Sequence, residues 1–441
     1  MTAEIVIMNK EAVVLAADSA VTLRSVYLTK VSVSADKIFQ MSMNSPVGIM
    51  MYGNALFMGL PWETVIKSYR ANRAGKKFNS IKEYGEDFIE YLKNNELEFD
   101  AKAEERYVDA FAMSVFKEVQ DRIDNFVQQL ITEKGLEITK DILKYAMELD
   151  IKEYHKRSGR KRKEIVPVGL SREIVEKHLG HIDSIMTYMF KESGLARIFN
   201  LDILKKRVRK KLEESVVNEF SKSMRDDIQS GIVITGFGEK EYTPRAKVFQ
   251  LEGKIHGELK YQEGPVEAVG GTSMANIAAF AQRDIAVRFM DGVDKLYRAY
   301  EDEYIRNLCI DYAEKVVANI EGYSDQQKRV FKKQLVKYGN SLRKEFNAKM
   351  EEFISYQFVQ PILGTVASLP KVELATMAEA LVHLTSVKRK VSLEEETVAG
   401  PIDVAIISKN DGFIWIKRKH YFEAGFNPQF FLRYRKEERN D

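Results

Sequence analysis

The residues with the clearest chemical promise stand at the start of the chain, MTAEIVIMNKEAVVLAADSA. Thr2 follows the initiator methionine, and a small second residue permits removal of Met1. One residue would then carry both a hydroxyl and a free α-amine. Such an amine titrates near ~7.7–8.0, so at neutral pH a useful fraction is unprotonated and can take the hydroxyl's proton, directly or through a water. Threonine paired with its own terminal amine is an activated nucleophile. A Met-Thr start alone is common in proteins with no such chemistry, but three further residues fall in a matching order. The run AVVLAAD ends in Asp18, and the hairpin signal NKE returns that end toward Thr2. The next apolar run, DKIFQM, is headed by Lys37, a cation able to pair with Asp18 and hold down the nucleophile's proton affinity. The run after it, VGIMMYG, closes on Gly53, whose unscreened N–H suits an oxyanion. Singly these are an ordinary strand-end aspartate, edge lysine and turn glycine; their joint order carries the reading.

The elements that must position these groups are uneven along the chain. The first sixty residues read as two pairs of short strands. Helical spacing follows, with Val108, Phe111, Val115, Val119, Ile123, Phe126 and Leu130 at three- and four-residue steps. Helices are expected over 137–155, 172–191 and 200–229. β character returns in GIVITGFG, RAKVFQLEG and KIHGELKY, and a helix is expected from about 274 to 291. Long charged helices run from 294 to 357, with Tyr297, Tyr300, Tyr304, Leu308, Tyr312 and Val316 in one stripe. A further helix starts near Pro370, and the strands PIDVAIIS and GFIWIKRK close the chain. Antiparallel hairpins with helices in separate blocks imply an α+β domain of packed layers. Both groups of strands are apolar on nearly every residue, so each sheet is expected to be covered on both faces.

In that order the motifs resemble a proteasome β-subunit, or its bacterial relative in the two-component ATP-dependent protease. The resemblance rests on Thr2, VVLAADS with Asp18, Thr22, DKIFQM with Lys37 and GIMMYGNA with Gly53. It resumes in GIVITGFGEK, EAVGGTSMANIAAF and VAGPIDVAIISKNDGFIW. It covers roughly half the chain and implies a four-layer αββα N-terminal-nucleophile (Ntn) hydrolase sandwich with two long helical insertions. The core would comprise 2–75, 229–291 and 368–441, and the insertions 76–228 and 292–367. It further implies that Thr2 is the nucleophile, its amine the general base, Lys37 and Asp18 its tuning groups and the Gly53 N–H the oxyanion donor. Val21, Met51 and Ala55 either line an apolar substrate pocket or pack in the core. The sequence departs from the family at Ala20, where an arginine is usual. Ser273 is the available substitute for a serine of the Gly-rich turn, and Glu396 and Ala399 stand where an acid and a serine precede the last hairpin.

Composition bounds the rest. A charge of +3 on 441 residues gives no general argument for nucleic acid or acidic membrane. The basic runs HKRSGRKRKE and KKRVRKKLEE read as solvated faces. Cys309, the single cysteine, excludes an internal disulfide and sits on an apolar helical face, as a packing residue would. His178 and His181 have ligand-compatible spacing, but no nearby acid set completes a site, so neither metal nor cofactor is expected. The chain lacks a signal peptide and a membrane-spanning run, and a cytoplasmic homo-oligomer is expected; whether an ATPase docks is left open. The leading expectation is a threonine hydrolase acting on amide, chiefly peptide, bonds. A silent assembly or scaffold protein on the same fold and a small-substrate amidase are the alternatives.

Overall fold

The computed structural model describes residues 3–24, 29–32, 35–94, 99, 102–134, 137, 139–192, 206–270, 273–392, 400–420, 422–429 and 432. Its strands are β1 (Ala3–Asn9), β2 (Ala12–Ala17), β3 (Val21–Arg24), β4 (Thr29–Ser32), β5 (Ile38–Gln40), β6 (Val47–Gly53), β7 (Leu56–Phe57), β8 (Leu60–Pro61), β9 (Ser230–Gly236), β10 (Arg245–Ile255), β11 (Glu258–Ala268), β12 (Ala275–Ala281), β13 (Asp403–Ser408) and β14 (Gly412–Lys417). The helices are α1 (Trp62–Asn72), α2 (Ile81–Lys93), α3 (Ala103–Lys134), α4 (Lys140–Ser158), α5 (Val168–Lys177), α6 (Leu179–Glu192), α7 (Lys206–Lys222), α8 (Asp284–Asp291), α9 (Lys295–Ala318), α10 (Asp325–Ile354), α11 (Gln360–Val366) and α12 (Lys371–Val391). Among them none is long and apolar enough to cross a membrane.

Two five-stranded antiparallel sheets organise the α+β fold, in the orders β12-β1-β2-β13-β14 and β11-β10-β9-β6-β5. Strand alternation divides their side chains between two environments. Val6 and Met8 of β1, Val13 and Leu15 of β2 and Ile407 of β13 meet Met50 of β6, Val233 of β9 and Val248 of β10 in one cluster between the sheets. The intervening residues of the first sheet, Ile5, Ile7, Val14 and Ile406, pack under Leu374, Ala378, Leu381 and Val382 of α12. Those of the second, Val47, Ile49, Met51, Ile232 and Ile234, pack under α1, α2 and α3. Strands buried on both faces account for the near-continuous apolar runs in the sequence.

The helices from α2 to α7 belong to the same continuous core as the outer face of the second sheet. A buried polar knot fixes α3 to β10. Lys260 of β11 lies 2.7 Å from Glu252, which also accepts the Tyr107 hydroxyl at 3.0 Å, and the Lys260 ammonium sits over the Phe111 and Phe220 rings. The α9–α10 hairpin is different. Cys309 packs against Gly339 at its crossing, as expected of a packing cysteine, but Tyr297, Tyr300, Tyr304, Leu308 and Tyr312 face solvent.

The expected helix over 274–291 is corrected. Residues Ala275–Ala281 form β12, paired with β1 from Asn9 to Ala3, and only Asp284–Asp291 is helical. The Ala-rich sequence ANIAAFA favours helix locally, but the unpaired edge of β1 supplies a full ladder of partners, and tertiary pairing overrides propensity.

Glycine is required in β9 where the ring of its cross-strand partner Tyr52 lies over the strand. A Cβ on Gly231 would lie 1.9 Å from the Tyr52 ring. Gly231→Ala is expected to lower stability by about 1–3 kcal/mol in urea denaturation. Gly169→Ala in α5, where nothing lies within 4 Å of the added carbon, is expected to be neutral or slightly stabilising.

Candidate active site

The site grows from the β1–β2 hairpin. Asn9 closes its turn by accepting the N–H groups of Glu11 and Ala12, and donates to Leu369 O at 2.9 Å. At the open end Glu4 pairs with Ala17, which sets Asp18 opposite Ala3. The Asp18 N–H donates to Ala3 O at 3.2 Å, and Asp18 Oδ1 accepts the Ala3 N–H in return at 2.9 Å. The same oxygen accepts Lys37 Nζ at 2.6 Å, while Oδ2 accepts the Ala20 N–H at 3.1 Å. Lys37 stands just before β5 in the other sheet, where its carbonyl accepts the Met51 N–H. The ion pair therefore ties the two sheets together at the chain-start end, and both side chains are 1% exposed.

A third charge joins them. Glu4 is fully buried, and its Oε1 lies 3.3 Å from Lys37 Nζ. One cation thus faces two carboxylates where water is excluded. Glu4 was missed in the sequence reading, although a signal existed: it is the only charged residue in AEIVIMN, two positions after Thr2 and on the parity of Val6 and Met8. Nearby, burial pushes the Tyr52 phenol above its ordinary range; Arg283 opposes this and Glu4 adds to it. The Tyr52 ring stacks on Phe280 of β12 at 5.2 Å.

Gly53 ends β6 with φ +80, and a Cβ there would lie 2.7 Å from Gln229 O. Antiparallel ladders send alternate amides to opposite neighbours. Asn54 N–H donates to β9's side at Gln229 O, whereas Met51 N–H donates to Lys37 O. Gly53 shares the parity of Met51, so its N–H is directed to the Lys37 side, just past the last β5–β6 bond.

The structure brings Asp18, Lys37 and Gly53 to one end of the sheet pair and leaves Ser273 elsewhere. Ser273 lies beside Ala275, which pairs with Asn9, whereas the far end of β12 pairs Ala281 with Ala3. About 20 Å of strand separates the two ends. The physical reason is the strand that replaces the expected helix: the turn reaching the Asp18 end is Ala281–Arg283, with Ala281 at φ 55, and Gln282 there accepts a hydrogen bond from Arg389. Met51 and Ala55 pack with the helix-side core, so core packing accounts for both. Val21 is buried at the start of β3, three residues past Asp18. Ala20 is buried beside it. Thr2, Glu396 and Ala399 lie outside the described residues.

Away from this site, tertiary folding supplies an acid set that sequence proximity did not: Glu105 and Asp109 of α3 meet His181 of α6. Compared with known proteins, the chain matches no family model and no curated protein.

Removing one member of a buried ion pair leaves the other uncompensated, at about 3–5 kcal/mol. Lys37→Met is expected to lose stability in that range by urea denaturation. Lys67→Met, at the exposed Lys67–Glu63 pair, should change it by less than about 1 kcal/mol.

Proposed function

We propose that the protein is an N-terminal threonine hydrolase of the proteasome-like kind, acting on amide bonds and chiefly on peptides. The observation that carries this reading is the Asp18 carboxylate, which holds the Ala3 amide and the Lys37 ammonium together at 2.9 and 2.6 Å. Ala3, which follows Thr2 in the sequence, is thereby linked through Asp18 to a buried cation. The packed order of helices, sheet, sheet and helices is read as the four-layer αββα sandwich, with 76–228 and 292–367 as its insertions.

On this reading Met1 is removed and the Thr2 amine takes the proton of the Thr2 hydroxyl as Oγ attacks the substrate carbonyl. Lys37 lowers the proton affinity of that oxygen by its charge, and Asp18 holds Lys37 in place. The Gly53 N–H donates to the oxyanion that forms. Collapse of the intermediate expels the amine, which takes the proton from the Thr2 ammonium, and leaves an ester on Thr2. Water, deprotonated by the Thr2 amine, then attacks the ester, and the Thr2 ammonium returns that proton to Oγ as the acid product leaves.

A second reading, a catalytically silent assembly protein on the same fold, is favoured by Ala20, by the distance of Ser273 from Asp18 and by the exposed tyrosine face of α9. A small-substrate amidase would share the first mechanism but leave peptides intact. Intact-mass spectrometry with and without a β-lactone that acylates terminal threonine separates these. The hydrolase should lack Met1 and gain one adduct, absent in Thr2→Ala and at least about tenfold slower to form in Lys37→Met, in line with the size of a lost electrostatic contribution. Retained Met1, or an equal adduct on Thr2→Ala, would sink the hydrolase reading. No adduct together with a stable oligomer in light scattering would favour the scaffold.

A further inference from the structure

Nearly half of the large apolar side chains exposed among the described residues lie between positions 295 and 358, on and beside the α9–α10 hairpin. Exposed apolar residues scattered singly are ordinary, but a contiguous row marks a surface built to be covered. On α9 the row is Tyr297, Tyr300, Tyr304, Leu308 and Tyr312, in steps of three and four, and each is more than half exposed. Tyr300 and Tyr304 already stack on one another at 6.4 Å. The row is not the side that α10 covers. On that side Cys309 meets Gly339, Asp302 pairs with Arg343 at 3.1 Å and Glu314 pairs with Lys332 at 2.6 Å.

The charges beside the row are placed symmetrically. Glu301 and Lys315 stand seven residues before and seven after Leu308, so each is two helical turns from it and all three share one face. Tyr304 and Tyr312 stand four residues to either side of the same leucine. A two-fold axis through Leu308, perpendicular to the helix, sets Glu301 of one copy against Lys315 of a second copy, twice over. It also sets Tyr304 against Tyr312, Leu308 against itself, and Tyr297 against Asn319, a polar partner for its hydroxyl. A parallel arrangement would instead put Glu301 against Glu301 and Lys315 against Lys315. The area is of the right size as well. Four tyrosines and a leucine exposed to this degree present about 700 Å2, from the roughly 150–250 Å2 that one aromatic side chain can bury. A standard interface takes about 800 Å2 from each partner, which the charged margins of α9 bring within reach.

We propose that α9 is a self-recognition surface: two copies of this chain associate antiparallel through the tyrosine row, centred on Leu308 and held in register by two Glu301–Lys315 contacts. Tyrosine suits such a face, because its ring buries apolar area while its hydroxyl keeps a polar partner at the rim. The charge pair adds direction and choice of partner more than affinity. The surface serves a hydrolase and a silent scaffold alike, so it is independent of whether Thr2 is a nucleophile.

The test is sedimentation equilibrium of the untagged full-length chain over a concentration series. A two-copy association is expected. Tyr304→Ala and Tyr312→Ala should each raise its dissociation constant at least about tenfold, as central interface tyrosines do. Tyr145→Ala, at a similarly exposed tyrosine of α4, should leave it unchanged. Glu301→Lys and Lys315→Glu should each weaken self-association at least about tenfold, because like charges then meet across the axis. An equimolar mixture of those two variants should recover the dimer, since every contact is again between opposite charges. These side chains lie at the surface, so each variant should keep the wild-type far-UV circular dichroism. The mixing experiment carries the test alone if a tyrosine variant does not. A monomeric wild type, an association untouched by Tyr304→Ala, or charge variants that associate no better mixed than alone would each overturn the proposal.

Discussion

The structure depends most on a lysine that has no access to water. Lys37 belongs to the second sheet, but its ammonium is held by Asp18 and Glu4 of the first. Neither charge type tolerates such burial alone, because the loss of hydration is worth several kcal/mol per ion. Each sheet therefore brings a charge that only the other can compensate, and the two must meet in one register. Apolar packing between the sheets drives their association without direction. The ion trio gives it direction, since a slip of one residue in β1 would turn Glu4 out of the interface. The same requirement makes the end of the sheet pair near Ala3 a place where electrostatic effects are large, because the surroundings screen them little.

The helical block obeys the same logic at a second point. Lys260, Glu252 and Tyr107 form a buried polar knot where α3 meets β10, and the aromatic faces of Phe111 and Phe220 receive the ammonium. Charge burial is tolerated there because each polar atom has a specific counterpart on another element. That anchoring makes the block continuous with the sheet core. Among the described residues the α9–α10 hairpin has no equivalent anchor: its buried residues are few, and its largest side chains point to solvent.

The candidate site was legible in the sequence to the extent that it depends on strand ends. Asp18, Lys37 and Gly53 each terminate or begin an apolar run, and a hairpin has little freedom in where it returns. Ser273 was misplaced because the Ala-rich segment after it reads as helix, and only the unpaired edge of β1 makes it a strand. Glu4 was overlooked because an isolated acid in an apolar strand is ambiguous until its partner is known. Met51 could not be separated from a pocket residue, since which face of β6 looks at helices and which at the other sheet is a property of the packing.

What the sequence by itself determined was local and periodic: the strand runs, the long helices with their stripes, the hairpins and the residues at their ends. These follow from side-chain periodicity and turn chemistry within a few residues of each position. Only the tertiary structure decided which sheet faces which, which strand completes the edge of β1, and which distant charges become partners. Lys37 with Glu4, Tyr107 with Glu252, and His181 with Glu105 and Asp109 are contacts between elements far apart along the chain or in different layers. Their energies come from burial and mutual distance, quantities that no stretch of sequence contains until the layers are packed.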